Sequence, residues 1–290
     1  MKTGISEMHA VLGTYHRAIE SLSDDEELCG QLRENGLDRV YVDNEKTAYT
    51  MLEELLGQFV KKPDYVILTH SLPYLFGSHL CDMLAEGIPM INITGIPCCI
   101  MHKGVESAVS LVRSGRYERV LVIGADKCYE DYERIFFGTA MSDSVIGMLV
   151  EADTADHEII SSAVNTLVIA SNGVFSDVDK TAQFRALNPS FIRTAMNDCL
   201  KKCGMGMEEV DFVVCHTSNR KIWDQVSCLT KIPREKFLDN NISLTGHMNS
   251  NDSFYHYFDF ARKGIIRKGQ KAMLVNPGFG GSQGCTLLAY

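Results

Sequence analysis

The chain repeats itself. The run Pro63-Asp64-Tyr65-Val66-Ile67-Leu68-Thr69-His70-Ser71 returns as Val210-Asp211-Phe212-Val213-Val214-Cys215-His216-Thr217-Ser218. The helical stripe Val105, Ala108, Val109, Val112 returns as Phe254, Tyr257, Phe258, Ala261, and each stripe closes on a glycine, Gly115 and Gly264. The strands that follow, Val120–Ile123 and Ala272–Val275, run into Gly124 and Gly278. These pairs share an offset of roughly 150 residues, the mark of two copies of one α/β unit. The copies read as residues 1–153 and 154–290, joined by the acidic stretch Asp153–His157. A duplicated α/β chain places its site where the halves meet, at strand ends. Three loops qualify: the turn at Cys98, the strand end at His216, and Gly246-His247.

The first of these loops lies in the most informative stretch, Ile91 to Asp126, which reads as strand, sharp turn, helix, loop, strand. Met90, Ile91 and Ile93 form an apolar run that Gly95-Ile96-Pro97 breaks, with Cys98 and Cys99 at the break. A cysteine at a helix N-terminus meets free amides and a dipole that favour the thiolate. The plain alternative is a pair of small core residues. Elsewhere, periodicity predicts a strand and turn from Gly4 to His16, a helix over Thr47–Val60, a buried strand over Tyr65–Ser71 and a short helix over His79–Glu86. It also predicts strands over Ser144–Val150 and Ile159–Ile169, a polar loop over Ser171–Asn188, and a helix over Phe191–Cys203.

Composition narrows the function classes. The net charge of −9 argues against non-specific nucleic-acid binding. No run approaches the ~20 apolar residues of a membrane span, and the opening MKTGISEMHAVLG has no signal-peptide core. The ten cysteines are scattered through predicted strands and helices, which suits a reducing cytoplasm better than a disulfide framework. Cys199 and Cys203 lack partner ligands nearby in sequence and read as packing residues, so no metal site is expected.

With these residues in hand, the chain resembles the thiolase superfamily, most closely β-ketoacyl-ACP synthase III and its acyltransferase relatives. The segment from Cys98 through Gly104 to Ser114-Gly115 keeps that family's spacing and selects Cys98 over Cys99 as nucleophile. Val120–Asp126, the His216 strand and the Gly-Phe-Gly-Gly run near the C-terminus are similar to further family hallmarks. The resemblance implies a five-layered αβαβα fold and a homodimer. It implies an acyltransferase without a bound cofactor, taking coenzyme A or phosphopantetheine thioesters as substrates from acyl-CoA or acyl carrier protein.

The resemblance also implies roles. Cys98 takes the acyl group, and His216 assists the acceptor. His247 stands where the family has asparagine, and Asp252 is a candidate to orient it. Gly278, Gly280 and Gly281 form the oxyanion loop, with glycine letting backbone amides come close. Asn188 and Phe191 match pantetheine-tunnel positions, and Lys221, Arg220 and Arg193 form a carrier-docking patch. His70 reads as a strand-end histidine, and His102 as facing a neighbouring helix. The tryptophan that clamps adenine in the type enzymes has no counterpart near Gly36-Leu37-Asp38-Arg39, which gives weight to a carrier-protein donor. The expected reaction is Claisen-type condensation. The alternatives are O- or N-acyl transfer, which a Gly-His loop with a downstream aspartate resembles, and a non-catalytic partner of an active homologue.

Overall fold

A computed structural model describes residues 2–71, 87–154, 156–167, 169 and 176–290. Two small hairpins pair β2 (Tyr15–Ala18) with β3 (Arg39–Val42), and β7 (Ile135–Phe136) with β8 (Thr139–Ala140). The other ten strands form one sheet. The first half supplies β1 (Thr3–Leu12), β4 (Tyr65–Thr69), β5 (Met90–Ile93), β6 (Arg119–Asp126) and β9 (Ser144–Ala152). The second supplies β10 (Glu158–Thr166), β11 (Phe212–Cys215), β12 (Phe237–Leu238), β13 (Lys271–Pro277) and β14 (Ser282–Ala289). Their order is β12-β11-β13-β14-β10-β1-β9-β6-β4-β5.

Read inward from either edge, the sheet has the same senses: two parallel pairings, then two antiparallel ones. The halves join through a single ladder pair between β1 and β10, Gly4 with Glu158. At the two ends of the Asp153–His157 link, Asp153 and His157 lie in the left-handed region, at φ 53° and 54°.

The helices are α1 (Glu26–Glu34), α2 (Ala48–Leu56), α3 (Ile100–Arg113), α4 (Val178–Cys203), α5 (Ile222–Thr230), α6 (Ile242–Thr245) and α7 (Asp252–Arg262). Packing sorts the main ones into layers. Met101, Val105 and Ala108 of α3 and Phe254 and Tyr257 of α7 share one core with residues of both sheet halves, including Ile67, Val122, Val214 and Leu274. The α2 helix covers the outer face of the first half through Met51, Leu52 and Leu55. The outer face of the second half is covered by α4 and α5, through Ile192, Met196, Trp223 and Val226. The result is the five-layered αβαβα arrangement. The two buried helices are the ones that open at the candidate site.

Gly104 sets how closely α3 approaches the sheet. A Cβ there would lie 2.9 Å from Val122 Cγ1 and 3.0 Å from Thr69 Cγ2. The absent side chain therefore lets the helix behind Cys98 rest on β4 and β6.

Some expectations change. The predicted loop over Ser171–Asn188 is helical from Val178 onward, so the helix expected at Phe191 starts there, capped by the Asp177 side chain on the Lys180 amide. Its first turns bury only Phe184 and Pro189, so they carry no apolar period. The helix expected over Thr47–Val60 is shorter, Ala48–Leu56, with Thr47 as its cap. The predicted helix His79–Glu86 lies outside the described residues. No helix among the described residues is long and apolar enough to cross a membrane.

Phe254 is fully buried in the central layer against the His102 ring, with centroids 4.8 Å apart. Phe254→Ala is expected to cost about 3–5 kcal/mol of stability, read from the shift in the urea unfolding midpoint.

Candidate active site

Cys98 sits in the loop between β5 and α3 in the left-handed region, at φ 62°, uncommon for a residue with a side chain. Cys99 is the N-cap of α3 and is fully buried, and burial pushes its thiol up to about 12. Cys98 alone of the two reaches the cavity.

His216 is the first residue past β11, where its amide still donates to the Val275 carbonyl at 3.1 Å. Its Nδ1 lies 2.9 Å from Ser218 Oγ, and its carbonyl accepts from the Trp223 indole at 3.2 Å. His247 follows α6 and Gly246. A Cβ at Gly246 would lie 2.7 Å from Val40 and 2.9 Å from Ser142 Oγ. The His247 backbone is locked against the Ala140–Ser142 segment: its amide donates to Ala140 and its carbonyl accepts from Ser142, at 2.9 and 2.8 Å.

Asp252, the first residue of α7, ties these loops together. Its carboxylate is fully buried and accepts from the Met248 amide at 2.6 Å, the Thr217 amide at 2.9 Å and His247 Nδ1 at 2.7 Å. His216 Nε2 is 3.5 Å away. On the other side of the His247 ring, Nε2 lies 3.8 Å from Cys98 Sγ. The chain therefore brings Cys98, His247 and Asp252 into a line, with His216 beside it; the two imidazole centroids are 4.4 Å apart.

Burial alone would strip His247 of its proton, but the Asp252 carboxylate reverses this and raises it to about 10. Burial would raise Asp252, yet the adjacent histidines hold it below the usual carboxylate range. His216 is pushed down to about 3 by burial and by the His247 charge. Burial raises the Cys98 thiol, and the hydrogen bond and charge of His247 oppose that rise. The arrangement thus offers one cationic and one neutral imidazole to a thiol whose ionisation His247 controls.

These side chains line a cavity of about 510 Å³. Phe279 forms part of its wall, its ring 4.1 Å from Phe137 and 5.5 Å from Phe184. Asn188, Arg185, Gln225 and Lys221 line it too. Phe191 is half-buried and Arg193 exposed, and neither lines the cavity, so the expected pantetheine and docking sets are only partly gathered. Lys221 pairs with Glu34 at 2.9 Å and Arg220 with Asp239 at 3.2 Å.

Two amides of the expected oxyanion loop are used within the turn: that of Gly278 donates to the Ser282 carbonyl at 2.7 Å, and that of Gly281 to Gly278 at 3.4 Å. The Phe279 and Gly280 amides make no such backbone bond among the described residues. Gly278 instead acts by closeness, since a Cβ there would lie 2.2 Å from the Pro97 carbonyl oxygen.

Cys98, His216 and His247 also bring their donor atoms within 4.8 Å of one another, the one such group among the described residues with a metal-ligand composition. These are the same atoms that thiol chemistry needs. Of the other histidines, His70 places Nε2 3.1 Å from the Asn92 side chain at the end of β4. His102 faces Phe254 of α7, as expected, and also Thr286 of β14, with Nδ1 2.8 Å from its Oγ1.

The sequence offered no signal for one supporting cluster. Asp143, fully buried, takes both Arg134 Nη atoms at 2.8 and 3.0 Å and Lys127 Nζ at 3.3 Å. It anchors the segment on which His247 is pinned.

Two family models match the chain: 3-oxoacyl-[acyl-carrier-protein (ACP)] synthase III over residues 97–170 and its C-terminal region over residues 200–290. Together they span more than half of it. The chain belongs to the 3-oxoacyl-ACP synthase III family.

Curated synthase III relatives include that of Phocaeicola vulgatus, 24% identical over 241 residues, covering 72% of this chain and 70% of the relative. That of Fusobacterium nucleatum is 24% identical over 243 residues, 72% and 74% of the two chains. Among solved structures, the Aquifex aeolicus synthase III superposes with a TM-score of 0.82 at 19% identity, over 99% of this chain and 100% of that one. ChlB3, described as an acyltransferase, gives 0.82 at 14% identity, over 100% and 98%. Xanthomonas campestris OleA with bound lauric acid and lauroyl-CoA gives 0.80 at 12% identity, over 100% and 99%. The structural likenesses show the thiolase fold.

Two outcomes test the site of this synthase III homologue. A Gly278→Ala variant is expected to displace the Cys98 turn and to slow Cys98 alkylation by roughly 10²-fold, read by peptide mass spectrometry. The second concerns His247, which in the folded protein keeps its proton up to about pH 10, against 6.5 ordinarily. Folded protein binds the extra proton between those values, so its stabilising contribution is complete below about pH 6.5 and is lost as pH rises towards 10. His247→Gln is expected to flatten that alkaline decline, by at most about 1.4 kcal/mol per pH unit, measured by urea unfolding across pH 6 to 10.

Proposed function

We propose that the protein transfers an acyl group by way of a Cys98 thioester. The observation that carries this is the line Cys98–His247–Asp252, with spacings of 3.8 and 2.7 Å, on a cavity that opens to solvent. One proton is shared between Cys98 Sγ and His247 Nε2, while Asp252 holds the other ring N–H. With that proton on His247, the thiolate attacks a thioester carbonyl. Oxyanion charge falls towards the Phe279 and Gly280 amides, a contribution of ~3 kcal/mol per donor in comparable sites. The carbon–sulfur bond to the donor breaks, and the departing thiol takes the proton from His247. Cys98 is left acylated and His247 neutral at Nε2.

In the reading that follows the family, the acceptor is a malonyl-type thioester. It loses carbon dioxide, its carbanion attacks the acyl-enzyme and Cys98 leaves, giving a β-ketoacyl product. A second reading rests on a specific observation: Asp252 accepts from His247 Nδ1 at 2.7 Å, which leaves Nε2 to act as a base. A hydroxyl or amine acceptor then gives its proton to His247 Nε2 and attacks the same carbonyl, yielding an ester or amide.

The donor is an acyl-CoA or acyl carrier protein thioester, with Lys221 and the exposed Arg185 at the cavity mouth as its contacts. The likeness to OleA with lauroyl-CoA supports a coenzyme A thioester. We also propose that residues 1–153 and 154–290 are the duplicated halves. A homodimer is supported by β5, an edge strand paired only with β4 among the described residues, with Ile91 and Asn92 exposed.

Incubation with a panel of acyl-CoA and acyl-carrier thioesters is expected to add one acyl mass to the wild type and none to Cys98→Ala. No adduct with any donor overturns the covalent reading in favour of a non-catalytic partner. Loaded enzyme offered malonyl thioester, hydroxyl and amine acceptors separates the two forms by product. His247→Asn is expected to slow loading of Cys98 and, on the enzyme that does load, to lose transfer to oxygen or nitrogen.

A further inference from the structure

Asn276, near the end of β13, is fully buried and touches the nucleophile turn from below. Its Nδ2 donates to the Cys98 carbonyl at 2.8 Å and to the Ser250 carbonyl at 3.1 Å. Both amide hydrogens are thereby used, so the orientation of the side chain is settled and Oδ1 points away from those carbonyls. Oδ1 is buried with no hydrogen-bond partner, and so is Nε2 of His102.

His102 is fully buried, and burial pushes it down to about 3, so it is neutral. Its Nδ1 lies 2.8 Å from the Thr286 hydroxyl of β14, and Ser162 of β10 lies 2.9 Å behind Thr286. Asn276 alone carries the contact to the carbonyl of Cys98.

Cys98 is in the left-handed region, which a side chain other than glycine occupies only when the surroundings hold it there. We propose that Asn276, oriented by its two carbonyl contacts, is the positioning residue that holds Cys98 in this conformation and keeps its Sγ on His247. Without the Nδ2 donor the Cys98 carbonyl is free to turn, and the residue relaxes to an ordinary backbone region with its thiol aimed elsewhere. The inference rests on Cys98 being the nucleophile, as proposed above.

The test is the alkylation rate of each cysteine by iodoacetamide at pH 7.5, resolved by peptide mass spectrometry. The exposed Cys228 serves as reference and the buried Cys99 and Cys285 as monitors of folding. In the wild type Cys98 is expected to react faster than the other cysteines. If it does not, the covalent reading fails, whatever Asn276 does. Asn276→Ala is expected to slow Cys98 by roughly 10²-fold, with Cys228 unchanged and Cys99 and Cys285 still protected. If the alanine variant opens the buried cysteines, the isosteric Asn276→Asp decides. It keeps the shape, sets an acceptor against two carbonyls, and is expected to slow Cys98 likewise. A selective wild-type Cys98 whose rate stays within about threefold in the variant that folds overturns the positioning role.

Discussion

The site depends on one buried carboxylate. A charge removed from water is tolerable only when donors surround it, and Asp252 has two backbone amides and one imidazole on its oxygens, with a second imidazole at 3.5 Å. The donors come from two pieces of chain, the loop after α6 and the strand end after β11, and the carboxylate itself starts α7. Satisfying the charge therefore assembles the site. The same carboxylate sets the protonation of both rings, raising His247 directly and leaving His216 neutral beside a cation.

Around that centre, the nucleophile turn is shaped by close approach. Gly104 lets α3 rest on the sheet, and Gly278 lets the final hairpin meet the Pro97 carbonyl. Cys98 is left at the only place where chain, cavity and His247 coincide. The two halves divide the work. The first carries the thiol, and the second carries the histidines, the acid and the glycine-rich hairpin that borders the cavity. The seam between them is also where the sheet is joined by a single pair.

Much of this was legible in the sequence, for identifiable reasons. The repeat was visible because buried parallel strands are short apolar runs ending in polar residues, so two copies keep a recognisable rhythm. The Cys98 turn was visible because glycine and proline interrupt that rhythm. The histidines and Asp252 could be named because they sit at strand ends and a helix start. What was hidden has no local signature. The first turns of α4 bury two side chains and read as loop. The Asp143–Arg134 pair joins residues that a sequence shows only as scattered charge in an apolar strand. The Phe137, Phe184 and Phe279 wall comes from three separate segments. A glycine-rich run announces close approach, but not that the Gly278 amide turns back to Ser282 while that of Phe279 is left over.

The bonds to Asp252 have a mechanical consequence. The amide next to His216 and the amide next to His247 are fastened to the same carboxylate, and that carboxylate starts a helix packed in the central core. The two imidazoles therefore move as one rigid body. What remains adjustable is the separation between this body and Cys98, 3.8 Å at rest. Reactivity is governed by that single coordinate: a substrate that draws the thiol closer switches the pair on, and anything that lets it drift turns the same residues into an inert buried cluster.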